Sequence, residues 1–126
     1  MTPEVNGAVE EVRQAFPAAT VTVVEDADGG AIITVDPLFI GDQYVTPETW
    51  IKFHITFQYP VSDVYPHFVR PDLARKDGRP LGEGMSVGSF QGEPAVQISR
   101  KSNKLNPSTD TAALKLVKVL EWLRSR

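Results

Sequence analysis

An α+β domain with an antiparallel sheet is the fold class this sequence predicts, and three observations predict it. Two segments with helical apolar spacing stand near the ends of the chain. Several short runs of alternating apolar and polar residues lie between them. No strand–helix–strand alternation interrupts those runs. Strands grouped together and helices kept apart from them segregate into layers in which neighbouring strands pair antiparallel. A length of 126 residues suits one domain spanning 1–126, large enough to bury roughly two-thirds of its unfolded surface.

Residues 4–16 place Val5, Val9, Val12 and Phe16 at helical spacing, with Ala8 and Ala15 beside them, which predicts an amphipathic first helix. Thr2 and Pro3 suit its start and Pro17 its stop. TVTVVED (20–26) alternates like a strand, DADGG (26–30) is a turn signal, and AIITVD (31–36) reads as a second strand. PLFIGDQYVTPET (37–49) reads as a long loop broken by Pro37, Gly41 and Pro47. WIKFHITF (50–57) is the clearest strand, because Ile51, Phe53, Ile55 and Phe57 alternate with Lys52, His54 and Thr56. YPHFVRP (65–71) predicts a further extended segment. Five glycines and two prolines over 71–92 predict a long irregular loop, and EPAVQISR (93–100) a short strand. The last 16 residues, TAALKLVKVLEWLRSR, predict a helix capped by Ser108, Thr109 or Asp110. Its buried stripe is expected to be Ala113, Leu116, Val117, Leu120 and Leu123, and Arg124 and Arg126 suit its C-terminal dipole.

Composition narrows the function classes. With 41% hydrophobic and 23% charged residues the chain is close to an average soluble globular protein. A formal net charge of −3 argues against a dedicated nucleic-acid binder. No apolar run approaches the roughly 20 residues that span a bilayer. No charged start precedes an apolar stretch either, so a cytoplasmic protein without a membrane partner is expected. The chain has no cysteine, hence no disulfide framework, no thiolate metal site and no thiol nucleophile. Two histidines, His54 and His67, make a weak metal argument. Gly78, Gly82, Gly84, Gly88 and Gly92 match neither a P-loop nor a dinucleotide-binding spacing, so no cofactor is expected.

One segment carries a resemblance. Phe57-Gln58-Tyr59-Pro60 followed by Tyr65-Pro66-His67-Phe68-Val69 resembles the strand-ending segment of the ubiquitin-conjugating (UBC-like, E2) family. Proline presets φ and donates no ladder hydrogen bond, so it suits a strand exit and a strand start. The resemblance implies an E2 fold: N-terminal helix, antiparallel β-meander, long active-site loop, C-terminal helix. Counting from Tyr59 to the family's catalytic cysteine lands on Ser86, within Gly84-Met85-Ser86-Val87. Ser86 would then be the acceptor of an acyl group, either as a native serine forming an oxyester or as an engineered Cys-to-Ser substitution. The family's HPN asparagine has no counterpart near Lys76-Asp77-Gly78, and its W-x-P appears only as Leu105-Asn106-Pro107. The two further C-terminal helices are missing, and the first helix is acidic. These departures are closer to a diverged bacterial E2-like group, which the SRK…NP…DT…EWL segment also resembles. That group implies two partners, a ubiquitin-like protein and an E1-like adenylating enzyme.

A serine hydroxyl is a weak nucleophile near neutral pH without a base. His67, Asp72, Asp77 and Glu83 are the candidates in sequence reach. Arg70, Arg75, Lys76, Arg79 and then Arg100, Lys101, Lys104 form two basic clusters bracketing Ser86, which could orient an acidic partner or simply face solvent. Tyr59 and Pro60 join them as binding residues by the resemblance. Two functions therefore stand open: acyl transfer at Ser86, or an inactive E2-like module that only binds. A plain loop serine, in an adaptor domain unrelated to ubiquitin, is the bland alternative.

Overall fold

Helix α1 (Pro3–Ala15) opens the chain in a computed structural model that describes all 126 residues. Thr2 caps it, its Oγ1 accepting from the Val5 amide at 3.1 Å. Pro3 at the first position loses no hydrogen bond and Glu4 meets the positive end of the dipole. Val5, Ala8, Val9 and Val12 are buried as their spacing predicts. Ala15 is exposed and Phe16 only half-buried, so the apolar stripe ends a turn early.

Six strands follow: β1 (Thr20–Glu25), β2 (Ala31–Phe39), β3 (Glu48–Ile55), β4 (His67–Val69), β5 (Met85–Phe90) and β6 (Glu93–Ile98). They form one sheet in the order β1-β2-β3-β4-β6-β5, with every pairing antiparallel. β2 runs past its predicted end through Pro37, where the register against β3 shifts between Val35 and Leu38; such an irregularity is where a sheet tolerates proline. Helix α2 (Ala112–Arg124) closes the chain and packs against α1. Both lie on the face made by Ile33, Val35, Ile51, Phe53, Ile55, Val69, Val96 and Ile98, within one hydrophobic core.

The predicted loop over 71–92 is corrected. Its last third is strand β5, which makes a tight hairpin with β6 through Gln91 and Gly92, at φ of 54° and 78°. Positive φ at both central residues is what lets a two-residue turn match the strand twist. Gly84 and Gly92 flank the strand rather than break it, so counting glycines misread it. The active-site loop implied by the resemblance shrinks accordingly, and six strands replace the five extended segments read from the sequence.

Helix α2 corrects two details. Thr111 is the cap, its Oγ1 accepting from Leu114 N at 3.1 Å; Asn106 has already drawn Ser108, Thr109 and Asp110 into a turn of its own. Lys115 and Val119 are buried whereas Val117 is only half-buried. Tyrosine hydroxyls hold both ends with matched polarity. Tyr59 Oη accepts from Ala112 N at 3.0 Å, and Tyr44 Oη donates to Leu123 O at 2.9 Å. Each serves a backbone group that the helix itself leaves without a partner.

Candidate functional site around the β5 edge

Ser86 lies on β5, the outermost strand at that end of the sheet, where it pairs with Gln97 of β6. The pairings define one cross-strand row on the face away from the helices: Thr22, Thr34, Lys52, Phe68, Gln97, Ser86. Ser86 is exposed and its hydroxyl takes part in no hydrogen bond. Phe90 folds back over Phe68 on the same face, ring centroids 4.5 Å apart.

The predicted bases are not assembled around it. His67 neighbours Phe68 in β4, and successive strand residues point to opposite faces, so His67 faces the core while Ser86 faces out. His67 is fully buried, its ring 5.1 Å from that of Phe53, and neither ring nitrogen has a hydrogen-bond partner. Burial pushes it down to about 3, and the Lys115 charge pushes the same way against the weaker pull of Asp63. Asp77 accepts from Arg79 N at 2.9 Å and from Arg75 Nε at 3.3 Å; these bonds, the Arg79 amide first, hold its carboxyl below the usual range. Asp72 is held bidentately by Arg70 at 2.6 and 3.0 Å. Glu83 is exposed, and its carbonyl accepts from Arg126 Nη2 at 3.2 Å. None of these groups hydrogen-bonds to Ser86.

The basic residues divide between two clefts. Arg75 and Arg79 line one of about 460 Å³ with Arg126, Trp122, Leu81 and Gly82, just before β5. A Cβ at Gly84 would come within 2.8 Å of the Trp122 ring, so only glycine lets the chain enter β5 this close to α2. Arg100 and Lys101 line a second cleft against α2. Arg100 sits 5.0 Å above Trp122, whose ring Arg126 also approaches at 4.8 Å, so this indole joins the two clusters. Lys76 is exposed and its amide donates to Gln43 O. Tyr59 accepts from the first amide of α2, its hydroxyl pushed up chiefly by burial, and Pro60 follows it in a turn.

A partly buried polar cluster escaped the sequence reading. Lys115 Nζ donates to Ser102 Oγ at 2.8 Å and to Asp63 Oδ2 at 3.2 Å, while Asp63 accepts from Ser102 N and Oγ, both at 2.7 Å. Burial raises the Asp63 carboxyl, but the bonds from Ser102 and Lys115 outweigh it and hold the group below its ordinary value. Its one sequence signal is Lys115 lying a turn from Ala112 and Val119, inside an apolar stripe. His54, on the outer face, bonds Asp26 at 2.6 Å. No group of three or more His, Cys, Asp or Glu side chains is placed to hold a metal, and no helix is long and apolar enough to cross a membrane.

The architecture is α+β: a two-helix layer on a six-stranded antiparallel sheet, with an uncovered edge strand beside an arginine-lined cleft. No protein family, curated protein or solved structure was found to match the chain.

Proposed function

We propose that this chain is a non-catalytic docking domain, an E2-like variant that binds a ubiquitin-like protein or its E1-like adenylating partner without forming an acyl intermediate. The observation that carries this reading is the setting of Ser86, exposed on an edge strand with its nearest histidine on the opposite face of the sheet. A serine without a base in hydrogen-bond reach is not activated. The same strand suits binding. No proline or charged residue occurs in 85–90, and Val87 is 93% exposed. Its outward backbone groups can accept an added strand, and Arg75, Arg79 and Arg126 at its entry suit an acidic partner surface.

The test is intact mass after incubation with ATP and the ubiquitin-like proteins and E1-like enzymes of the source organism, alongside biolayer interferometry with the same proteins. Binding without a covalent adduct is expected. An adduct that resists reducing agent and disappears in Ser86→Ala would establish acyl transfer instead, the reading that the exposure of Ser86 keeps in play. No binding to any of them would remove the ubiquitin-like assignment.

A further inference from the structure

We infer that the cleft between residues 100–110 and helix α2 is a binding site for a small polyanion, a compact molecule carrying several phosphate groups. The inference is independent of the β5 reading. The cleft has a volume of about 430 Å³ and is lined by Arg100, Lys101, Lys104, Lys115 and Lys118. These are five of the chain's 13 lysines and arginines, gathered on one concavity of a protein whose net charge is −3.

One carboxylate, Asp110, lines the cleft itself and is already committed: its Oδ2 accepts from Asn106 N at 2.7 Å, and its Oδ1 lies 4.0 Å from Lys118. Asp63, beneath the floor, is satisfied by Ser102 and by Lys115, whose side chain is only 9% exposed. Arg100, Lys101 and Lys104 make no ion pair. Like charges crowded in a concavity repel one another, and a bound anion turns that repulsion into attraction.

The cations are also held in place rather than left to wander. Arg100 stands 5.0 Å from the Trp122 ring centroid and Lys101 5.3 Å from that of Tyr65. Lys104 adopts φ +56°, a left-handed conformation that costs a non-glycine residue energy. The other non-glycine residue in that region, Gln91, is accounted for by its hairpin turn. Lys104 takes it in the turn at residues 103–104, which forms one wall of the cleft.

The lining selects the ligand class. Val119 is its one hydrophobic residue, and no aromatic ring faces the cleft to stack a base. The Thr109 hydroxyl and the side-chain amides of Asn103 and Asn106 supplement the cations as donors. A concavity of this size, rather than an extended basic stripe, fits a small molecule better than a nucleic-acid backbone.

Isothermal titration calorimetry of the full chain with sodium tripolyphosphate at physiological salt tests this. Lys104→Gly and Lys118→Ala alter the cleft, and Lys52→Ala, on the outer face of the sheet, is the control. Wild type and Lys52→Ala are expected to bind alike, with each cleft variant weaker by roughly tenfold, about one lost charge-assisted contact. Lys104→Gly is also expected to raise the melting temperature of the free protein, because glycine accepts the left-handed backbone. A variant that is more stable yet binds less well cannot be explained by misfolding. No binding heat at millimolar tripolyphosphate would overturn the proposal. Equal weakening by Lys52→Ala, equal binding of citrate, or tighter binding of a single-stranded oligonucleotide would overturn it as well.

Discussion

On the inner strands β2 and β3 the core-facing residues Ala31, Ile33, Val35, Ile51, Phe53 and Ile55 are all at 0% exposure, whereas at the β5 edge Val87 is 93% exposed. The two outer edges differ in the same sense. On β1, Arg13 Nη1 donates to the Val21 carbonyl at 3.0 Å and the N-terminal amine pairs with Glu25 at 2.7 Å. On β5 no side chain reaches the outward backbone, and no charge or proline interrupts the strand. Proteins ordinarily blunt such an edge. The helix layer seals the end of the sheet that stability depends on and stops short of the strand that carries Ser86. On the proposed docking role, stability and partner contact would fall at opposite ends of one sheet.

The largest effect should come from the sealed end. Ile51 pairs with Val35 and Val69, with no exposed surface. Ile51→Ala is expected to lower the unfolding free energy by roughly 3 kcal/mol, against less than about 0.5 kcal/mol for Val87→Ala. Urea denaturation with unchanged m-values reads both. Similar losses in the two variants would mean that β5 is as covered as β3, and the contrast would collapse.

A pH effect comes next, at the boundary between the two ends. His67 is held at about 3 in the fold against an ordinary 6.5. Below that ordinary value the unfolded chain takes up a proton that the folded chain refuses. Stability is therefore complete above pH 6.5 and falls as pH drops toward 3. The loss by pH 5 is about 2 kcal/mol relative to pH 7.5. Asp63 and Lys115, the charges that act on His67, do not offset this: the Asp63 carboxyl is held below its ordinary value by Ser102 and Lys115, so its own titration also costs stability as pH falls. His67→Leu should flatten the urea midpoint between pH 7.5 and pH 5. An equally steep dependence in His67→Leu would assign the acid sensitivity elsewhere.

How much of this was legible in the sequence follows the same division. Helix α1, strands β1 to β3 and helix α2 could be read because each buries one face, and a buried face writes a period into the residues. β5 buries almost nothing, so its residues carry turn chemistry and little alternation, and the glycines on either side masked it. Lys115 was hidden for a related reason: its partners Asp63 and Ser102 lie 52 and 13 residues away. Counting along the chain located Ser86 but could not say what faces it. A strand puts neighbours on opposite faces, and that alternation separates Ser86 from His67. The tyrosine clamps on α2 were equally silent, since Tyr44 and Tyr59 reach helix ends 79 and 53 residues away.

The smallest effect on stability should accompany the largest effect on binding. Val87→Asp places a charge on the open edge, and Val24→Asp places the same charge on the guarded edge, where Val24 is 60% exposed. Both should unfold within about 0.5 kcal/mol of the parent, as exposed substitutions do. Only Val87→Asp should weaken partner binding, by at least roughly tenfold, because a buried unpaired carboxylate would sit where the partner's strand adds. Interferometry with the same partner against both variants reads the difference. If Val24→Asp weakens binding as much, the partner does not distinguish the edges, and docking belongs to a surface the two strands share. If neither does, the β5 edge is open for a reason other than strand addition, and the arginine-lined cleft at its entry becomes the place where contact is made.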